Sequence, residues 1–148
     1  MSRPKSSGWL RTILALLASA FALNFAWEMA QGPLFADMKG LSFEVATLRC
    51  LLATFGDVAI TLAAYLAVAA FARNPTWVHQ AHSRGRAVAF WAIASGISVA
   101  LERHAVATGR WVYGPYIGLV PVLEIGWPPA AQWALLPWAV LAITKRAG

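Results

Sequence analysis

The chain has 148 residues, 59% of them hydrophobic and only 12% charged, where a soluble domain carries roughly 25% charged residues. Twelve basic and six acidic side chains cannot cover the outside of a soluble helical domain, so a single membrane domain is expected. The net charge of +6 does not indicate nucleic acid, because the basic residues sit in the gaps between apolar runs, where they set orientation in a bilayer.

Four apolar runs approach the roughly 20 residues that cross a bilayer, and the expected fold is an all-α integral membrane four-helix bundle. The first run covers 9–30 and ends at Gly32-Pro33. Arg3, Lys5 and Arg11 ahead of a Leu/Ala run with Ala18-Ser19-Ala20 also resemble a secretory signal and its cleavage site. The apolar run continues past that point without a break, which favours a retained spanning helix. On this helix Asn24, Glu28 and Gln31 are spaced to share one face, with Trp27 beside them. The second run covers 45–71, closed by Arg73, Asn74 and Pro75. It carries Arg49 at its start and a stripe of Cys50, Thr54, Asp57 and Thr61. The third run, 86–108, stops at Gly109 and aligns Trp91, Ser95, Ser98 and Glu102. A connection over 109–127 follows, with Gly114-Pro115, Gly118 and Pro121 among apolar residues; a lid, a shallow re-entrant segment and an ordinary interfacial loop all fit it. The fourth run, 128–144, opens with Pro128-Pro129, suited to a first helical turn. It carries Gln132, bends at Pro137 and ends at Lys145-Arg146.

Orientation follows from the basic residues. With the N-terminal end inside, the inner side carries Arg3, Lys5, Arg11, Arg73, Arg84, Arg86, Lys145 and Arg146, and the outer side only Lys39, Arg49, Arg103 and Arg110. That bias predicts an N-in/C-in protein of the inner (plasma) membrane. Glu28 and Glu102 then fall near the outer ends of their helices, Arg49 and Gln132 near outer starts, and Asp57 deeper. The ionisable groups gather in the outer half, which predicts a polar pocket there.

Ionisable residues inside a span cost roughly 2.5–3.5 kcal/mol to insert and face the bundle interior, paired. Glu28, Asp57 and Glu102 are therefore the candidate catalytic carboxyls. The plainer reading pairs Glu28 and Glu102 with Arg49, Arg103 or Arg110 at headgroup level, and Asp57 with Arg49. Asn24, Trp27, Gln31, Arg49, Thr61, Ser98, Arg110, Trp111, Tyr113 and Gln132 are the candidate substrate contacts. Interhelical hydrogen bonding competes for Asn24, Thr54, Thr61, Ser95 and Ser98, and an aromatic belt for Trp111, Tyr113, Tyr116, Trp127 and Trp133. His104 lies on another face from Glu102, and His79 and His82 are expected to be solvated. No metal site and no cofactor is expected: Cys50 is the single cysteine, the three histidines are scattered, and no phosphate loop or zinc-hydrolase motif is present. The shared spacing of Asn24/Glu28 and Ser98/Glu102 fits either a duplicated hairpin or chance.

The run Asn24-Phe25-Ala26-Trp27-Glu28, followed one helix later by Asp57, resembles the fungal integral-membrane terpene cyclases, in which an Asn-x-x-Trp-Glu run and an Asp on the next helix supply the initiating acid. The resemblance covers residues 24–57 and implies that Glu28 and Asp57 are an acid pair. That family has more spanning helices, so a complete site of its kind implies association of two copies, a homo-oligomer. Glu102 followed by Gly109-Arg110-Trp111-Val112-Tyr113 is similar to a stretch of the small membrane lycopene cyclases, whose Pro-x-Glu-Glu element reads Pro121-Val122-Leu123-Glu124 here.

The chemistry is coherent. A carboxylic acid held in apolar surroundings keeps its proton and can donate it, and aromatic faces stabilise cationic intermediates. Two readings therefore stand together: an isoprenoid cyclase or isomerase working by carboxylic-acid proton transfer, and a non-catalytic protein that binds a lipid, quinone or pigment or assembles a larger membrane complex. A membrane lipid or isoprenoid is the expected partner in both, and nucleic acid in neither. A small transporter ranks behind them, since the inner half has almost no polar lining.

Overall fold

The computed structural model describes residues 6–147; Arg3 and Lys5, two of the orientation-setting charges, lie outside the described residues. Four helices dominate: α1 (Ser6–Gln31), α2 (Phe43–Ala72), α3 (Arg84–Ala107) and α4 (Trp127–Ala147). Three of them are long and apolar enough to cross a membrane, and α4 packs beside them as the fourth. The chain is therefore a multi-pass membrane protein built as a helical bundle.

Local chemistry explains where the helices stop. Pro33 occupies the first turn of a short 3-10 segment, Gly32–Leu34, that ends α1. Ser42 caps α2 by accepting the Val45 N–H at 3.4 Å. Arg73, in the left-handed region at φ 49°, closes α2, and its N–H reaches back to Ala69 and Ala70. Gly109, at φ +68°, does the same for α3, with Arg110 N donating to Ala105 O at 2.8 Å. Such a residue past a helix end satisfies carbonyls that the helix leaves free.

The helices form a ring in which each touches its two neighbours, α1–α2–α3–α4, and α4 closes on α1. The half of the bundle that holds the α2–α3 connection is filled with apolar side chains, Leu16, Tyr65, Val68, Phe90 and Val140 among them. Trp77, from the 3-10 turn Trp77–His79, is fully buried there. It stacks on Tyr65 at 5.1 Å between ring centroids, and Tyr65 OH donates to Pro75 O at 2.8 Å. His79 departs from the solvated expectation: its Nε2 lies 3.0 Å from Thr12 Oγ1 and ties the connection to α1. Outward-facing positions, by contrast, present Leu14, Leu52, Phe55, Phe71 and Leu135. In water this would be an unstable surface; in lipid it is the expected one.

At the opposite end the two connections dock on each other. Phe35 pairs with Tyr113 in an antiparallel bridge, Ala36 N donates to Val112 O at 2.8 Å, and Gly114 N donates to Leu34 O at 3.0 Å. Gly114 is there because nothing larger fits: a Cβ on it would lie 2.2 Å from Leu34 O. The chain then forms a short hairpin, β1 (Leu119–Val120) against β2 (Ile125–Gly126). The 109–127 stretch is thus a packed cap over the bundle end.

Candidate functional site

Under the cap, polar side chains from three helices meet. Gln132 of α4 is almost fully buried. Its Nε2 lies 2.9 Å from Asn24 Oδ1 on α1, 2.9 Å from Asp57 Oδ2 on α2 and 3.4 Å from Glu28 Oε1. Since α2 and α4 stand across the ring from each other, the Gln132–Asp57 bond runs through the bundle axis. Gln31 Nε2 donates to the same Glu28 oxygen at 2.9 Å, and Trp27 Nε1 donates to Gln31 Oε1 at 3.1 Å. Asn24 anchors itself through Nδ2 to Ala20 O at 2.8 Å. Cys50 Sγ sits 3.5 Å from Glu28 O.

Glu102 of α3 is a second centre under the cap. It is 8% exposed and accepts from Tyr113 OH at 2.6 Å. The same hydroxyl accepts the Gly126 N–H at 2.9 Å, so one side chain joins α3, the cap and the strand that leads into α4. Burial, and then the bond to Glu102, push the Tyr113 phenol above its ordinary value. Gly126 allows this approach, because a Cβ there would fall 2.5 Å from Ile117 Cγ2 and 3.1 Å from the Tyr113 ring. The Trp111 indole N–H lies near Glu102 but is buried without a hydrogen-bond partner.

The basic residues do not enter this cluster. Arg49 pairs with Asp37 of the 32–42 connection at 3.1 Å, Arg103 pairs with Glu124 at 2.7 Å, and Arg110 lies over the Trp111 ring at 5.5 Å. The expected pairings of Glu28, Glu102 or Asp57 with these arginines are therefore replaced, and among the described residues none of the three carboxyls forms an ion pair. Neutral donors hold them instead. The reason is spatial: Asp37 intercepts Arg49 at the bundle rim, while Arg103 and Arg110 are exposed.

Other candidates sit apart. Thr61 Oγ1 donates to Asp57 O at 2.8 Å within its own helix, as Thr54 does to Cys50 O. Ser98 is buried on the inward face of α3. Ser95 Oγ and Trp91 Nε1 both donate to Trp133 O at 3.1 Å. That carbonyl is free because Pro137, four residues on, has no N–H to give it, so α3 supplies the donors that the α4 helix lacks. Asp37 is the residue the sequence reading missed: besides Arg49, it accepts the Val112 N–H at 2.9 Å and so fastens the 32–42 connection to the cap. Its only sequence signal was an acidic residue alone in an apolar connection.

No protein-family model matches the chain, and comparison with curated proteins and with solved structures finds no match. The geometry alone carries the functional reading.

Proposed function

We propose that the protein crosses the inner membrane four times, with both helical ends on the cytoplasmic side, and that its outer-half carboxyl cluster transfers protons to and from an apolar isoprenoid drawn from the bilayer, as a cyclase or isomerase. The observation that supports this reading is the gathering of Glu28, Asp57 and Glu102 without a cation, held by Gln132, Gln31 and Tyr113. A span that needed carboxyls only for packing would neutralise them with arginine, and three arginines at the same end of the bundle are engaged elsewhere. α4 is 21 residues long, or about 31 Å, which matches the roughly 30 Å hydrocarbon core.

In this reading Glu28 gives a proton to a carbon–carbon double bond, leaving a carbocation, and Asp57 removes a proton from a neighbouring carbon to form the new double bond. Ring closure between the two steps gives a cyclase, and its omission an isomerase. The substrate gains one proton and loses one, and return of the proton from Asp57 to Glu28 resets the site without another reactant. Glu28 and Asp57 are half-buried rather than sealed, and the Trp27 face is suited to a passing cation. The test is to incubate the reconstituted protein with prenyl alcohols and polyenes in deuterated water and follow deuterium entering carbon positions of the recovered lipid. Incorporation that disappears in Glu28→Gln and Asp57→Asn supports the reading; folded wild-type protein that exchanges no deuterium into the panel rejects it.

The second reading, a non-catalytic lipid-binding or assembly protein, draws on the hairpin rim, where Tyr116 is 80% and Val122 92% exposed. A stoichiometric lipid, pigment or protein retained through mild-detergent purification, with no deuterium exchange, favours it.

A further inference from the structure

The inner-core end of the bundle carries a groove that the outer cluster does not use. It has a volume of about 410 Å³ and runs between α3 and α4, floored by Trp77 and Val78. Its walls are Ala87 and Val88 on one side and Trp138, Leu141 and Ala142 on the other. Val88 and Trp138 are 51% and 41% exposed, so the groove opens sideways, toward the acyl region of a bilayer. At its mouth stand Ser83, Arg84 and Lys145. Arg84 and Lys145 are exposed, and among the described residues neither is in an ion pair. Among those residues, too, no acidic side chain lines the groove.

The mouth also holds the start of α3. Ser83 is its N-cap, yet the Ser83 side chain makes no capping bond. The first-turn N–H groups of a helix have no acceptor within the helix and carry its positive dipole end. Two unpaired cations, an uncapped helix start and a slot for hydrocarbon thus converge, and their complement is an anion with an apolar tail. A second, smaller groove between α2 and α3, lined by Phe71, Ala72 and Arg86, lacks this pattern, because Arg86 donates to Gln80.

We propose that the α3–α4 groove is a binding site for one anionic phospholipid of the leaflet at the basic end. Its phosphate sits between Arg84, Lys145 and the first turn of α3, and one acyl chain lies along Val88, Trp138 and Ala142. Basic pockets between spanning helices on the cytoplasmic side bind anionic headgroups in this way. The proposal rests on the bundle being in a membrane and is independent of any chemistry at Glu28 and Asp57.

The test is native mass spectrometry of the full chain in mild detergent, with phosphatidylglycerol and phosphatidylcholine added in equal amounts. One phosphatidylglycerol should be retained with a preference of about tenfold or more, given two basic contacts. The double variant Arg84→Gln/Lys145→Gln should lose the preference, and Lys39→Gln at the far end should keep it. Both mouth residues are exposed, so the fold should survive; circular dichroism melting checks this. Ala142→Trp fills the groove while leaving the charges, and should also abolish retention; Val88→Trp, on the facing wall, replaces it if Ala142→Trp lowers the melting temperature. Equal binding of the two lipids, or a preference unchanged in the double variant, overturns the proposal. So does displacement of the lipid by millimolar inorganic phosphate, together with undiminished binding in the groove-filled variant, since that marks a free-anion site.

Discussion

Replacing Gln132 by Leu removes the side chain on which the buried polar cluster converges, at nearly constant length, so the main loss is hydrogen bonding rather than volume. The two shortest bonds lost are those to Asn24 Oδ1 and Asp57 Oδ2, both 2.9 Å. Interhelical hydrogen bonds in membrane bundles contribute roughly 0.6 kcal/mol on average and about 1.7 kcal/mol at most, so Gln132→Leu should destabilise the fold by about 1–3 kcal/mol. The assay is reversible unfolding of the purified protein by sodium dodecyl sulfate in mixed micelles, followed by circular dichroism. Double-mutant cycles with Asn24→Ala and with Asp57→Ala then isolate each pair. Sites that do not touch add to within about 0.3–0.5 kcal/mol. Coupling below that range in both cycles would refute the convergence of three helices on Gln132, whatever the size of the single-mutant effect.

Three other outcomes follow from particular contacts. Gly114→Ala places a methyl group 2.2 Å from Leu34 O, so the cap must separate from the 32–42 connection; faster amide exchange at Ala36 and at position 114 should report it, while exchange in the α2–α3 half stays unchanged. Ser95→Ala should cost about 0.6 kcal/mol in the wild type but close to nothing in Pro137→Ala, where the N–H regained at that position serves Trp133 O; an equal cost in both backgrounds refutes the assignment. Tyr113 should ionise only above its ordinary 10.0, seen as the ultraviolet titration difference between wild type and Tyr113→Phe. Because the native state keeps a proton that the unfolded chain gives up near pH 10, wild-type stability relative to the variant should fall as pH rises from that point.

Much of the fold was legible in the sequence because hydropathy and helix-ending signals are local. Gly32-Pro33, Arg73-Asn74-Pro75 and Gly109 each mark a helix end where the structure has one. The polar stripes were legible too, since periodicity assigns Asn24, Glu28 and Gln31 to one face without knowledge of the partner. What periodicity lacks is pairing. Arg49 and Asp57 fall on one helix and read as partners, but Arg49 turns outward to Asp37, a residue with no periodic context. The cap was illegible for the same reason: the Leu34–Gly114 and Phe35–Tyr113 pairings join segments far apart in sequence, and nothing local predicts them. The Pro137 bend was expected, while the need for Ser95 and Trp91 to serve the carbonyl it frees appears only once α3 and α4 are side by side.

The position of Gln132 has a consequence for biogenesis. Ribosomal synthesis delivers α1 and α2 ahead of α4, and with them Asn24, Glu28 and Asp57, whose amide partner Gln132 lies on α4. Until α4 arrives, the early hairpin carries an incomplete set of polar groups in the bilayer. Closure of the ring by α4 therefore completes their hydrogen bonding. Chains interrupted before residue 132 leave Asn24 and Asp57 without that amide.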